Sequence, residues 1–237
     1  MKKILIFVFA IVTITSCSLD TNDTTGERQE MVGKEYLDSG IVFKVTDKHS
    51  ATIESCTSNW NRNYLLGDVV TINGLIFNIT EIKDRAFMNN KMLKTVHISE
   101  FMKRIGTEAF YGCDSLKEVQ GTGSISARDT ICERAFADCH ALRGTVLGNT
   151  YIEKEAFKDC SKLKIIIADT LSYIGASAFN GCAALSALYI SNAEPLNIDA
   201  SVFENTNADK ILYVEKGSIS AYQSAPGWKD FAIIKGL

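Results

Sequence analysis

Residues 152–190 read IEKEAFKDCSKLKIIIADTLSYIGASAFNGCAALSALYI, and the second half of this stretch repeats the first. Ile152-x-x-x-Ala156-Phe157-x-x-Cys160-x-x-Leu163 returns as Ile174-x-x-x-Ala178-Phe179-x-x-Cys182-x-x-Leu185. Working outward, the Ile-x-x-x-Ala-Phe unit also occupies Ile82–Phe87, Ile105–Phe110 and Ile131–Phe136, and a degenerate copy runs from Ile198 to Phe203 with Val202 in place of Ala. The steps between successive Phe residues are 23, 26, 21, 22 and 24. Three residues after Phe stands Cys113, Cys139, Cys160 or Cys182, with Asn90 in the first copy and Thr206 in the last. Six residues after Phe stands Leu93, Leu116, Leu142, Leu163 or Leu185, and Asp209 breaks the series.

A period this short cannot fold alone, because a single turn buries only one face and needs a stacked neighbour to complete its core. Each unit reads as a short strand, a loop and a compact helical or turn-like segment. Leu93-Lys-Thr-Val96-His-Ile98 and Leu185-Ser-Ala-Leu188-Tyr-Ile190 alternate as strands do, and Phe, Ala and Ile of the returning segment close the core behind them. Each buried Leu, Ile or Phe contributes about 1.5–3 kcal/mol. The expected fold is an α/β repeat solenoid of short parallel strands. Residues 32–79 form an N-terminal β cap, in which Asn73-Gly74 marks a tight turn between VVTI and LIFNI. The solenoid spans 80–211. Residues 212–237 form a C-terminal cap, with Tyr222, Trp228 and Phe231 over the last core layer and Pro226-Gly227 as a turn. With both ends covered, the chain reads as a complete protein.

The stretches Leu93–Phe110 and Leu171–Cys182 resemble the BspA-type, or treponemal-type, leucine-rich repeat. The tail LYVEKGSISAYQSAPGWKDFAII from Leu212 resembles the C-terminal cap common among these proteins in Bacteroidetes. The segments GIVFKVTDKHSATIESC and GDVVTINGLIFNI resemble their N-terminal strands, so the likeness covers about residues 40–234. Two departures are visible: most copies lack the Pro usual after the strand, and Thr145 stands where Val or Ile is expected. The resemblance implies a leucine-rich-repeat solenoid and, for surface-displayed members, non-enzymatic recognition or adhesion.

The first sixteen residues are an export signal. Lys2 and Lys3 precede an apolar run from Ile4 to Ile14, too short to span a bilayer as a stop-transfer helix. Ile14-Thr15-Ser16-Cys17 resembles the lipobox of bacterial lipoproteins, which implies cleavage before Cys17 and acylation of its sulfur and new amine. Residues 17–31 then read as the lipidated Cys and a flexible tether, since SLDTNDTTGERQEM lacks an apolar period. The membrane is thus expected to hold the protein through its N-terminal lipid, in the outer membrane and facing outward.

Composition narrows the function. Of 237 residues, 25 are basic and 28 acidic, for a net charge of −3, so no basic surplus exists to neutralise nucleic-acid phosphates. His49, His97 and His140 lie in separate segments, and no P-loop, GxGxxG, GxSxG or HExxH motif occurs. We therefore expect no catalytic residue, no metal and no cofactor. Beyond Cys17, six cysteines remain, four of them recurring once per turn. Such a ladder, with rungs about 4.8 Å apart, cannot surround a tetrahedral zinc. Buried free thiols packed as small apolar groups are the reading, with disulfides between ladder neighbours the alternative.

The strand register exposes one more feature. Positions eight and ten after each Phe should point outward: Thr95/His97, Glu118/Gln120, Gly144/Val146, Ile165/Ile167, Ala187/Tyr189 and Ile211/Tyr213. The first two pairs are polar and the later ones turn apolar and aromatic. Val146, Ile165, Ile167, Tyr189, Ile211 and Tyr213 are therefore the candidate binding face, for a protein or glycan ligand and in a monomeric chain. The alternative is that irregular repeats shift the register and turn some of these residues into core. The function expected is adhesion to a host or neighbouring cell, or else a periplasmic or outer-membrane accessory role, binding a glycan or a partner lipoprotein.

Overall fold

The computed structural model describes residues 25–57, 65–66, 69–98, 101–121, 129–148 and 150–237. Two sheets run the length of the repeats with the core between them. The front sheet contains Leu65–Leu66, Thr95–Ile98, Glu118–Gly121, Gly144–Leu147, Ile165–Ala168, Ala187–Ile190, Ile211–Val214 and Ile233–Gly236, each parallel to its neighbours. The back sheet contributes Leu75–Ile82, Arg104–Ile105, Asp129–Ile131, Thr150–Ile152 and Leu171–Ile174, again in parallel. Parallel pairing follows from the repeat itself, since each turn brings the chain back one rung further along in the same direction.

The segment carrying Ala-Phe is a turn and not a helix. In the first copy the N–H groups of Ala86, Met88 and Asn90 bond locally, to the carbonyls of Lys83, Arg85 and Phe87. Those of Arg85, Phe87 and Asn89 instead reach the next turn, to Thr107, Ala109 and Tyr111 at 2.7–2.9 Å. Alternation between local and neighbouring acceptors requires two left-handed residues per turn. Arg85, Glu108, Arg134, Glu155 and Ser177 fill the first position, with φ of 54–60°. Asn89, Gly112, Asp138, Asp159, Gly181 and Asn205 fill the second, residue types that tolerate positive φ. The only helices among the described residues beyond short 3₁₀ turns are Thr25–Met31 and Ile219–Ser224, both outside the repeats.

Six Phe rings stack along the core: Phe87, Phe110, Phe136, Phe157, Phe179 and Phe203, with centroids 5.0–5.7 Å apart and planes within 13°. Phe203 ends the column against the edges of Trp228 and Phe231, at 5.7 and 5.1 Å. Tyr222, Trp228 and Phe231 are buried over that last layer, and the indole of Trp228 donates to the carbonyl of Leu196 at 2.7 Å. The last two front strands belong to this C-terminal region, so the solenoid continues past 211. At the open edge of the back sheet, the Asn192 amide accepts from the Leu171 N–H and donates to the Leu171 carbonyl, both at 2.8 Å. One side chain thus makes the bonds a further strand would make.

At the N-terminus, Glu35–Asp38, Ile41–Val45 and Ser50–Cys56 form an antiparallel meander that joins the back sheet through Leu75–Ile82. Val69–Ile72 pairs antiparallel with Leu75–Ile82 across Asn73 (φ 52°) and Gly74 (φ 82°). The tether expected over 17–31 is shorter than that, because Thr25–Met31 is a docked helix. Arg28 is buried, donates to the carbonyls of Lys48 and Ile76 at 2.9 Å, and lies over the Phe77 ring; Met31 is buried beside it. Residues three apart share one helical face, but one of these is a cation, so no apolar period marks the helix in the sequence. The signal peptide over 1–16, Cys17 and the tether to residue 24 lie outside the described residues.

Candidate binding face on the front sheet

Every front strand alternates between inward and outward residues. Val96, Val119, Thr145, Ile166, Leu188 and Leu212 enter the core, and the residues on either side of each face out. Adjacent strands pair without slip: Gly144 with Ile165 and Val146 with Ile167, then Ile165 with Ala187 and Ile167 with Tyr189, then Ala187 with Ile211 and Tyr189 with Tyr213. All six residues of the candidate face therefore stand on one surface in two straight columns. None is core. The variable repeat length is absorbed in the loops, which leaves the strand register intact.

Ile165 and Ile167 are the most open, at 41% and 45% exposure. Val146, Tyr189, Ile211 and Tyr213 are half-buried against one another. The rings of Tyr189 and Tyr213 are stacked, with centroids 4.3 Å apart and planes 3° from parallel. Burial, and then the neighbouring Tyr213 phenol, push the Tyr189 pKa up. The columns continue onto Ile233 and Lys235 of the last strand, residues that the Phe-based count could not reach because no repeat precedes them. Toward the N-terminus the face turns polar at Thr95, His97, Glu118 and Gln120, where the Gln120 amide donates to Glu118 at 2.9 Å.

Three further features lay unread in the sequence. The first is a row of exposed cations one residue before each outward column: Lys94, Lys117, Arg143 and Lys164. It was visible as a basic residue seven after Phe. The second is a pair on the back sheet, Tyr151 and Tyr173, stacked at 4.4 Å and each about two-fifths exposed. The third concerns the thiols. Cys113, Cys139, Cys160 and Cys182 are buried and free, and each donates to the carbonyl of the preceding turn's Phe (87, 110, 136 and 157) at 3.1–3.2 Å. Burial pushes their pKa values up, to about 12 for Cys113 and Cys182. No disulfide joins the described cysteines.

Charged groups elsewhere among the described residues form surface pairs. Asp114 accepts from Lys91 at 2.6 Å and pairs with His140 at 2.9 Å; His140 and Lys91 hold its carboxyl below the usual range. Arg104 bridges Glu81 and Asp84, at 2.9 and 2.6 Å. Among the described residues, no three His, Cys, Asp or Glu side chains converge on a point that could hold a metal, and no helix is long and apolar enough to cross a membrane.

The family model of the BspA type leucine rich repeat region matches in six copies over residues 69–146 and 129–224. Among solved structures, the chain is similar to the leucine rich repeat protein of T. pallidum, with 20% identity over 86% of each chain and a TM-score of 0.50. It is also similar to a leucine rich cell surface protein from Faecalibacterium prausnitzii A2-165, with 20% identity over 85% of this chain and 76% of that one and a TM-score of 0.39. A leucine-rich repeat protein from Bacteroides capillosus is 21% identical over 67% of this chain and 99% of its own, with a TM-score of 0.41. No curated protein matches the chain.

Proposed function

The chain belongs to the BspA-type leucine-rich-repeat family, and we propose that it is a lipid-anchored, non-enzymatic binding protein of the bacterial cell surface, acting in adhesion to a host or neighbouring cell. The observation that carries this reading is the outward apolar face of the front sheet. Ile165 and Ile167 sit open to solvent beside Val146, Tyr189, Ile211 and Tyr213, with none of the described residues laid over them. A contiguous exposed apolar patch on a soluble fold marks a contact surface. Recognition on a rigid solenoid needs no moving part, because the strand ladder already holds the side chains in place.

The anchor in this proposal is Cys17, on the strength of the charged, apolar and small-residue order before it. Residues 18–24 reach at most about 25 Å even when fully extended. The docked helix Thr25–Met31 and the N-terminal meander would then lie nearest the lipid, and the later turns that carry the apolar face would lie furthest from it.

Protease shaving of intact cells, followed through an epitope in the repeats, tests the outward placement; permeabilised cells are the control. Loss of the epitope from intact cells is expected. Protection until permeabilisation would remove adhesion and leave an accessory role inside the envelope. Incorporation of labelled palmitate by wild type but not by Cys17→Ala tests the anchor.

A further inference from the structure

A row of cations runs along the front sheet from its polar end to the apolar face. Lys94, Lys117, Arg143 and Lys164 are exposed and stand at the same place in successive turns. The backbone fixes their alignment: the N–H of Lys117 bonds the carbonyl of Lys94, that of Arg143 the carbonyl of Lys117, and that of Lys164 the carbonyl of Arg143, all at 2.8–2.9 Å. Rungs of such a ladder are about 4.8 Å apart. Ser186 ends the row, and the next position, Lys210, is buried over the Phe231 ring.

These four side chains have no ion-pair or hydrogen-bond partner among the described residues. Many cations of the turn segments and back sheet are paired instead, Lys103 and Lys162 being exceptions among the described residues. Arg85, Lys91, Arg104, Arg134, Lys154 and Lys158 all pair with carboxylates. Anions are not scarce in a chain of net charge −3. A line of like charges without partners among the described residues, whose last two members Arg143 and Lys164 flank Val146, Ile165 and Ile167, has the complementarity of an interface with an anionic, partly apolar partner.

We infer that the front sheet receives an amphipathic helix of a partner protein, lying along the solenoid axis. Its row of carboxylates would meet Lys117, Arg143 and Lys164, and its apolar side would cover Val146, Ile165 and Ile167. Spacing selects the helix. A helix repeats one face about every 5.4 Å, so across the two steps of about 4.8 Å from Lys117 to Lys164 it slips by roughly 1 Å, within the reach of Lys and Arg side chains. An extended strand repeats a face about every 6.7 Å and slips by about 4 Å, most of a rung, over the same distance. The tyrosines argue against a sugar as occupant: Tyr189 and Tyr213 stack on each other, which takes one face of each ring away from stacking on a pyranose. Glu118, beside Lys117 and held by Gln120, sets the polar end of the surface.

The inference rests on the front-sheet reading above, and the test separates the two. The full-length protein in detergent is titrated, by fluorescence anisotropy, with a synthetic helix-stabilised peptide bearing a Leu face edged by Glu. The comparison ligands are its Glu→Gln counterpart, polygalacturonate and phosphatidylglycerol vesicles. Saturable, salt-sensitive binding of the acidic peptide is expected, weakened about tenfold by K117Q/R143Q/K164Q and abolished by I167S/Y189S. Equal binding of the Gln peptide, with loss only in I167S/Y189S, would keep the apolar face and overturn the charged edge. Loss only in K117Q/R143Q/K164Q would overturn the apolar face. Tighter binding of polygalacturonate or vesicles than of the peptide, or no peptide binding, would overturn the helix as partner. Unchanged thermal midpoints in both variants show that folding is not the cause.

Discussion

The ring of Tyr189 lies flat on that of Tyr213, 4.3 Å away and 3° from parallel, because the two residues are direct partners in adjacent parallel strands. The same pairing places Ile167 next to Tyr189 and Val146 next to Ile167. A column of this kind stands on the sheet without entering it. The residues that hold the fold together, Ile166, Leu188 and Leu212, point the other way and are fully buried.

Replacing Ile167 and Tyr189 together by Ser should therefore leave the fold standing. Lost stacking and partial burial amount to about 1 kcal/mol, against binding that should fall below detection. Chemical denaturation beside a cell-binding assay checks both. A loss of several kcal/mol would mean that the face belongs to the core.

Thr145 offers a gain. Its side chain is buried, and its hydroxyl has no hydrogen-bond partner among the described residues, at a position where the other strands carry Val, Ile or Leu. Thr145→Val removes the stranded hydroxyl and keeps the shape. It should raise the unfolding free energy by about 1 kcal/mol, measured from the denaturant midpoint at unchanged slope.

The thiol ladder predicts a pH dependence. Burial raises Cys113 and Cys182 to about 12 from the ordinary 9.0, and Cys139 and Cys160 are raised as well. In the unfolded chain these thiols lose their protons first, so above pH 9 the unfolded state binds fewer protons and stability falls as pH rises. Below pH 9 the contribution is fully present. Between pH 9 and 10 each ladder thiol should cost up to about 1 kcal/mol. Comparing wild type with single Cys→Ala variants separates this slope from that of Tyr and Lys; parallel slopes would rule the thiols out as its source.

Gly106 and Gly175 are required by close approach. A Cβ on Gly106 would sit 2.5 Å from the Asp84 nitrogen, and one on Gly175 would sit 2.5 Å from the Lys154 nitrogen. Both neighbours are backbone and cannot swing aside. Gly175→Ala should destabilise by about 1–3 kcal/mol, whereas Gly217→Ala, with open space around it, should cost far less. Paired thermal melts of the two variants decide the point.

Much of this architecture was legible in the residues. Ile, Ala, Phe and Leu recur at constant offsets because every turn fills the same slot in a shared core, so periodicity alone announces a solenoid. The alternation in the strands even placed Val146, Ile165, Ile167, Tyr189, Ile211 and Tyr213 on the outward face. The helix Thr25–Met31 escaped notice because Arg28, a cation, supplies half of its buried contact. The turn-like nature of the Ala-Phe segment was undecided for a related reason. Its N–H groups divide their bonds between their own turn and the next, which no local pattern encodes, although Asn, Asp or Gly two after each Phe was its trace.

The sequence by itself determined the repeat, its core residues and the strand alternation, because these depend on offsets within one turn. The tertiary structure alone decided what lies side by side between turns. Loops of different length could have slipped each strand against the next, and only the hydrogen-bond ladder shows that they did not. From that alignment come the paired tyrosines, the thiols on the carbonyls of the preceding turn and the aligned row of cations from Lys94 to Lys164. Each is a relation between residues more than twenty apart in the chain, brought within bonding or stacking range by the regular rise from one turn to the next.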